Sequence, residues 1–441
     1  MTDTFKIKGL RWWIAILLMG ITTINYLDRL TLAVAAPTLK VDLSINEVDY
    51  SRIVMAFQVA YLIMMPLVGR IIDWLGLRLG FTLSIITWSA VQMLTSLATG
   101  WRSFAAFRAL LGITEAGNFP GGIKAVAQWF RPKERTLATG VFNMGAGLGA
   151  IIAPPLVAFL ILTYNWKIAF VVTGAFSLFW AVLWALLYRA PEKHPWLSKK
   201  ELSYITEGEQ ELATVEEPKG KGVWKIILPQ KNFWALGIAR FFSEPAWQLF
   251  SYWIPLYLAT DRGMNLKQIG YFAWLPFLAA DLGSMFGGFL SPFFINQMRM
   301  PVMTARKYSA TVSAFLMVFV LFISKASSAE WAIFFFCIGT FAHQSMSATL
   351  MTLPADLFPK STVATANGLS GTTAVLGGMI FTAIIGYVAK NIGYGPLFTV
   401  IAFLDIIGVA FLWSLLREPK HFAVRMENSE SRTLEGNKNE D

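Results

Sequence analysis

Residues 12–36 read WWIAILLMGITTINYLDRLTLAVAA, a stretch of 25 residues in which Asp28 and Arg29 are the only charged side chains. About 20 apolar residues in a helix are enough to span the hydrocarbon core of a bilayer. Lys6, Lys8 and Arg11 precede the stretch, but it is longer than the roughly 7–15 apolar residues of a secretory signal peptide. We therefore predict a first transmembrane helix that stays in the membrane and carries two charges.

The composition of the whole chain points the same way. Of its 441 residues, 55% are hydrophobic and 15% are charged, whereas soluble domains carry about 25% charged residues. This excludes a soluble multi-domain enzyme and a disordered or fibrous protein, and the single cysteine, Cys337, excludes a disulfide scaffold. The net charge of +10 is compatible with nucleic acid, but the basic residues form short clusters between apolar runs, which indicates membrane topology and no nucleic-acid partner.

Apolar runs near 20 residues predict twelve transmembrane helices. They lie at about 12–36, 51–71, 80–99, 102–121, 137–163, 167–188, 233–259, 268–295, 305–324, 331–353, 363–388 and 397–416. The longest connection is rich in Lys, Glu and Pro, and Leu197, Leu202, Ile205 and Leu212 predict a surface helix within it.

These spans predict an all-α membrane protein whose twelve helices form two six-helix halves. The predicted parts are an N-terminal half at 1–188, a cytoplasmic linker at 189–232, a C-terminal half at 233–416 and a cytoplasmic tail at 417–441. A transporter built from two related halves binds its ligand near the membrane midplane between them. Internal repeats are not visible by eye, but the pattern of six and six favours such a site.

The positions of Lys and Arg predict the orientation, because cytoplasmic loops carry an excess of both. With the N-terminus inside, 26 of the 37 basic residues lie on the inner side, 8 lie on the outer side and 3 lie within helices. Both termini are therefore predicted to be cytoplasmic.

Charges within the predicted helices are costly and need a reason, since each costs about 2.5–3.5 kcal/mol at the centre of a membrane helix. Asp28 and Arg29 are adjacent and point about 100° apart, so that one can face a cavity and the other a neighbouring helix. Arg108 and Glu115 lie about two turns apart on one face, with Gly112 between them where a backbone or a ligand can approach. Two interpretations stay open: a cation for an anionic substrate with proton-carrying acids, or an ion network that locks two helices.

The C-terminal half carries fewer such groups. For Arg240 and Glu244, a local ion pair and a functional role are equally compatible with the sequence. For Asp281 and Asp405, a structural role is the preferred interpretation. Pro245 and Pro255 predict a bend or unwinding of helix 7, which is typical of transporter sites. Four further side chains are candidate ligand contacts: Trp247 beside Pro245, and the mid-helix residues His343, Gln344 and Asn367.

The connection between helices 2 and 3 reads GRIIDWLGLRLG over residues 69–80. Its glycines permit a tight turn, and its aspartate can pair with arginines on the same face. The segment resembles the cytoplasmic loop signature of the major facilitator superfamily. The predicted cytoplasmic gate comprises Gly69, Asp73, Gly76, Arg78, Arg131 and Arg135.

Further segments resemble the anion:cation symporter family within that superfamily. They are NYLDR at 25–29, RALLGITEAGNFP at 108–120 and WFRPKER at 129–135. RFFSEPAW at 240–247, FAHQ at 341–344 and VATANGL at 363–369 resemble the bacterial hexuronate branch of that family. The resemblance implies proton-driven uptake of glucuronate and galacturonate, with proton coupling at Asp28 and Glu115, and Arg108 coupled to these acids.

The same resemblance places the substrate carboxylate on Arg29, with Tyr26 and Tyr61 lining the site. A helix 5 glutamine of a related aldonate symporter has no counterpart in the Asn143-Met144-Gly145-Ala146 segment, which favours a hexuronate over an aldonate. In the resulting cycle the acids take up protons, the uronate binds, the two halves rock, and proton release frees the substrate. The hydroxyls of the substrate are predicted to meet Tyr26, Tyr61, His343, Gln344 and Asn367, and Trp247 can stack against its sugar ring.

Other functions stay open at this point. The chain could carry another sugar acid, such as an aldonate or aldarate, or another organic anion, by symport or exchange. A membrane sensor is a third possibility, but the linker and tail are short for an output domain. Three His, one Cys and no Walker motif predict no enzyme activity and no metal or other cofactor beyond the proton gradient. The predicted partners are a small sugar acid, protons and the lipid bilayer, and the predicted state is a monomer.

Overall fold

The computed structural model describes residues 6–210, 227–358 and 363–418. The described residues form helices joined by short turns, with no β-strand among them. The first eight helices are α1 (Leu10–Asp42), α2 (Glu47–Leu75), α3 (Leu77–Leu94), α4 (Trp101–Glu115), α5 (Asn118–Trp129), α6 (Pro132–Thr163), α7 (Trp166–Leu187) and α8 (Lys199–Gln210). The others are α9 (Lys231–Thr260), α10 (Leu266–Phe272), α11 (Leu275–Met298), α12 (Val302–Leu316), α13 (Ala329–Leu357), α14 (Val363–Asn391) and α15 (Gly395–Leu415).

Ten segments of the described chain are long and apolar enough to cross a membrane. Two of the predicted spans, 102–121 and 233–259, are not among them, and each contains both basic and acidic side chains. The first is divided, because α4 ends at Glu115 and α5 begins at Asn118. The all-α membrane fold is confirmed, while the division of this span was not predicted.

The span at 233–259 is α9, which is continuous over 30 residues. Pro245 and Pro255 lie inside it without interrupting it, so unwinding is wrong, while the alternative of a bend stays a prediction. Neighbouring helices and solvating side chains can compensate for the hydrogen bonds that a proline removes in a membrane helix. The charged side chains of α9 therefore project from a regular helix, at intervals of one turn.

The helices pair in an order that repeats along the chain. In the first group, α1 packs mainly against α6, α2 against α4, and α3 against α7. In the second group, α9 packs mainly against α14 and α11 against α13, while α12 with its following turn packs against both α13 and α15. In the numbering of the twelve predicted spans, span 1 packs with span 5, span 2 with span 4 and span 3 with span 6. In the second half, span 7 packs with span 11, span 8 with span 10, and span 9 with span 12 as well as with span 10. The repeat that is invisible in the sequence is present in the packing.

The predicted surface helix of the linker corresponds to α8. Leu197 and Ile205 are buried against the first group of helices. Arg11 holds the same segment, because its guanidinium pairs with Glu201 at 2.9 Å and with Glu134 at 3.3 Å. Residues 211–226, including Leu212, and the tail beyond 418 lie outside the described residues.

Glycines of α6 let α1 approach it closely. A Cβ at Gly145 would collide with the carbonyl oxygen of Met19, and one at Gly149 would collide with that of Thr23. Close backbone approach through small residues is a usual way for membrane helices to associate. Because Tyr26 and Arg29 lie on this part of α1, the contact also fixes the position of the site described below.

We expect Gly149→Ala to lower the free energy of unfolding by about 1–3 kcal/mol, the usual cost of overpacking. The added methyl group would collide with the Thr23 carbonyl and lie 2.8 Å from Cβ of Tyr26. Thermal unfolding of the purified protein in detergent measures the effect. Gly140→Ala is the matched control on the same helix, because no described atom lies within 4 Å of its added Cβ. Equal melting temperatures for the two variants would contradict the prediction.

The two groups of helices meet most closely at the end remote from the linker. Three side-chain hydrogen bonds between described residues join them there. These are Tyr50 Oη to the carbonyl oxygen of Tyr252 at 2.7 Å, Ser51 Oγ to that of Thr382 at 2.6 Å, and Gln58 Nε2 to Gln248 Oε1 at 2.7 Å. On the linker side of Gln58, no hydrogen bond or ion pair between described residues joins the groups. The two groups are therefore hydrogen-bonded to each other at the end remote from the linker, which we call the closed end. At the linker end, which we call the unlatched end, no such bond between described residues joins them.

Candidate functional site

Arg29 and Glu115 form an ion pair between α1 and α4. Arg29 Nε donates to Glu115 Oε2 at 2.7 Å. The Glu115 side chain is fully buried, whereas 13% of the Arg29 side chain is exposed. Arg29 Nη2 and Glu115 Oε1 are buried without a hydrogen-bond partner among the described residues. The pair is thus only half satisfied, and an additional acceptor near Nη2 would complete it.

Three aromatic rings surround the Arg29 guanidinium. Its central carbon lies 4.7 Å from the ring centroid of Tyr61, 5.0 Å from that of Phe57 and 5.3 Å from that of Tyr26. Such cation–π contacts stabilise a cation that has left water. The predicted substrate residues Arg29, Tyr26 and Tyr61 therefore lie together, and Phe57 is a fourth member that the sequence did not reveal.

Arg108 lies behind this pair with only 2% of its surface exposed. Its Nη2 donates to the backbone carbonyl of Arg29 at 3.2 Å, and its Nε has no partner among the described residues. Gly112, one turn further along α4, lies against α2, because a Cβ there would collide with the Phe57 carbonyl. Arg108 thus supports the backbone that carries Arg29, and Gly112 admits a neighbouring backbone as predicted.

Asp28 points to the opposite side of α1. It is fully buried, and its Oδ2 accepts a hydrogen bond from Ser177 Oγ of α7 at 2.5 Å. Its Oδ1 is buried without a partner among the described residues. Asp28 and Arg29 therefore diverge as their adjacency predicts, with Arg29 facing α2 and α4. The structure does not bring Asp28 into contact with the predicted substrate residues.

Four charges thus lie close together within the first group of helices. Arg29 and Arg108 balance Asp28 and Glu115 when both acids are ionised. Ionisable groups in a membrane interior are stable only when paired. Any added anion would therefore require an added positive charge or a proton in the same place.

The second group contributes a stacked pair from α9 and α13. The Trp247 and His343 rings stack with their centroids 6.0 Å apart and an angle of 15° between their planes. His343 is 3% exposed, and its Nδ1 lies 3.4 Å from Ser243 Oγ and 3.9 Å from Asp405 Oδ2. His343 is therefore a buried support for Trp247, and Asp405, predicted to be structural, is its neighbour from α15. Gln344 is half-buried and makes no side-chain hydrogen bond to a described residue.

A ladder of polar side chains lies on one face of α9. Gln58 of the first group donates to Gln248, and Gln248 Nε2 donates to Glu244 Oε1 at 3.1 Å. One turn further toward the linker, Arg240 Nη1 donates to Asn367 Oδ1 at 3.1 Å. Because Gln248 touches the other group, the ladder faces the space between the groups, and the predicted contact Asn367 lies at its linker end.

The predicted gate residues are only partly described. Gly76 has a φ of 78°, which permits the tight turn between α2 and α3. Arg78 donates from Nε at 3.0 Å and from Nη2 at 2.5 Å to the carbonyl oxygen of Ala185, and the Arg131 guanidinium lies 4.1 Å from the ring centroid of Tyr204 on α8. The side chains of Asp73 and Arg135 and the surroundings of Gly69 are outside the part of the structure that is described. The proposed ion pairs of Asp73 stay a prediction.

The chain is similar to known proteins in sequence and in fold. The family model described as Major Facilitator Superfamily matches residues 18–305 and 303–435. The chain belongs to the major facilitator superfamily. As a member of it, the chain is a multi-pass membrane protein.

Among relatives of this superfamily member, the hexuronate transporter of Escherichia coli strain K12 is 40% identical over 96% of this chain and 98% of its own length. The galacturonate transporter of Dickeya chrysanthemi is 40% identical over 71% of this chain and 91% of its own length. A bacterial homolog of the human lysosomal transporter Spinster, crystallised in an inward-facing and occupied conformation, has a TM-score of 0.72. That structure is 16% identical, and the match covers 93% of this chain and 98% of the other, so it shows the shared fold.

Proposed function

We propose that this protein takes up hexuronates such as glucuronate and galacturonate together with protons, by alternating access. The observation that carries the proposal is the half-satisfied Arg29–Glu115 pair, buried between α1 and α4 beside three aromatic rings. The names and identity of the relatives support hexuronates as the substrate class and transport, rather than catalysis, as the activity.

Charge balance links the proton to the substrate. A uronate carboxylate added to the balanced cluster of Arg29, Arg108, Asp28 and Glu115 would leave one negative charge in excess inside the membrane. A proton on Glu115 removes that excess and releases Arg29 Nε at the same time. Since Nε and Nη2 form one edge of the guanidinium, the freed edge can bind the substrate carboxylate with two parallel hydrogen bonds.

The same competition explains release. When Glu115 loses its proton, its carboxylate competes with the uronate for Arg29 at the 2.7 Å contact seen here. The sugar ring and hydroxyls would lie toward Tyr26, Tyr61 and Trp247, because aromatic faces and phenol groups suit a polar ring. Rocking of the two helix groups would exchange the closed end near Tyr50 for a closed end near the linker.

We propose a bacterial inner membrane location with both termini and the linker in the cytoplasm. The excess of Lys and Arg on that side supports this orientation. The end that is unlatched in the structure would then be the cytoplasmic one. We propose that the protein functions as a monomer.

Uptake of labelled glucuronate into proteoliposomes tests the proposal. We expect accumulation against a concentration gradient when the lumen is more alkaline than the outside, and no accumulation when an ionophore collapses the pH difference. An uptake level that does not respond to the ionophore would rule out proton symport. Unlabelled hexuronates should inhibit uptake of labelled glucuronate most strongly, followed by aldonates and then aldarates. Stronger inhibition by an aldarate would show that the proposed substrate class is wrong.

A further inference from the structure

Arg240 is a cation in the space between the two helix groups that lacks a carboxylate partner. Its Nη1 makes all its side-chain hydrogen bonds, to the backbone oxygen and Oδ1 of Asn367 and to Ser370 Oγ at 2.9 Å. These partners are neutral. No carboxylate oxygen of a described residue lies within 4.0 Å of its guanidinium, although Glu244 is one turn away on the same helix.

The opposite edge of the Arg240 guanidinium is free. Its Nε and Nη2 make no hydrogen bond to a described residue, and neither is among the fully buried unpaired atoms. This edge is the one that binds a carboxylate with two parallel hydrogen bonds. Asn367 and Ser370 therefore hold the guanidinium in place without neutralising it, and they leave its bidentate edge open.

The position of Arg240 along α9 places it between the central site and the linker end. Gln248 is level with Gln58, which lies beside Phe57 at the Arg29 site. Arg240 is eight residues from Gln248, or about 12 Å along the helix axis toward the linker. No hydrogen bond or ion pair between described residues closes the space at this level, so a small anion leaving Arg29 toward the linker passes it.

We propose that Arg240 is a second carboxylate-binding residue, which receives the sugar-acid carboxylate when Glu115 reclaims Arg29. The inference rests on the proposed function, because it assumes an anionic sugar substrate. It explains why an arginine is kept in the membrane with no carboxylate of a described residue in direct contact, which is otherwise costly. It also gives Asn367 and Ser370 a positioning role, since they orient the guanidinium but lie on its other side.

The test compares transport kinetics from the two faces. Glucuronate transport is measured in right-side-out and inside-out membrane vesicles that contain the full chain, with an epitope in the linker to identify its face. For Arg240→Gln we expect KM from the linker face to rise about 10-fold, as for the loss of one charge-assisted hydrogen bond. From the other face KM should stay within about 3-fold, because Arg29 binds the substrate first there.

Two further variants separate charge from structure. Arg240→Lys keeps the charge and should recover most of the linker-face KM, while Lys267→Gln removes an exposed cation and should change neither face. If Arg240→Gln does not reach the membrane, the double variant Asn367→Ala, Ser370→Ala carries the test, with an expected rise of about 3-fold at the linker face only.

Two results would overturn the inference about Arg240, and a third would overturn the proposed function. An unchanged linker-face KM overturns the inference, as does an equal rise at both faces, which would indicate a general structural role. In either case wild-type transport of glucuronate leaves the proposed function intact. A wild-type protein that transports glucuronate from neither face overturns the proposed function itself.

Discussion

Glu115→Gln should abolish proton-driven accumulation of glucuronate while leaving exchange of internal for external glucuronate. Glutamine is neutral at every pH, so Arg29 is never reclaimed by a carboxylate and the protein resembles the permanently protonated state. Substrate can then bind and cross, but its movement no longer carries a proton. We expect accumulation ratios to fall to one in proteoliposomes with a pH gradient, with counterflow retained within about 10-fold.

The matched control is Glu330→Gln, the same substitution at the start of α13, remote from Arg29. It should accumulate glucuronate like the wild type. A Glu115→Gln variant that still concentrates substrate would move the proton site elsewhere, and Asp28 is the next candidate. Asp28→Asn distinguishes the two, because Asp28 contacts Ser177 rather than Arg29, and a purely structural Asp28 would alter stability more than coupling.

The sequence predicted the charged part of the site better than the neutral part. Arg29 and Glu115 stood out because a charge inside an apolar helix needs a reason, and their two helices do bring them together. The adjacency of Asp28 and Arg29 predicted that they diverge, yet only the packing of α1 against α7 decides which of them faces inward. Periodicity along one helix cannot give that, since it does not specify the neighbour on each side.

Gln58 and Gln248 were missed for a related reason. A glutamine within a membrane span is a weak signal alone, and its meaning depends on α2 meeting α9 near the closed end. His343 was predicted as a ligand contact, whereas it lies buried between Trp247 and Asp405. Asp405 is 62 residues from His343 along the chain and lies on another helix, and no spacing rule in the sequence would pair the two.

Arg29→Gln should abolish both accumulation and exchange of glucuronate, with a fall in initial uptake rate of at least about 100-fold. The substitution removes the bidentate donor for the carboxylate, and it also leaves Glu115 buried without its partner. Breaking one member of a buried pair typically costs about 3–5 kcal/mol of stability. Loss of transport alone therefore does not distinguish lost substrate binding from lost folding. The single variant has to be compared with a second variant in which the charges are balanced again.

The double variant Arg29→Gln, Glu115→Gln is that second variant, because it removes both charges of the ion pair. We expect its melting temperature to return close to the wild-type value, while glucuronate binding measured by calorimetry stays absent. Arg52→Gln is the control for arginine removal, since 55% of that side chain is exposed and it pairs with Asp49 at the closed end. Near-normal glucuronate affinity in the folded double variant would show that Arg29 is an element of the ion network only. The carboxylate would then have to bind first at another cation, and Arg240 on the polar face of α9 is the candidate.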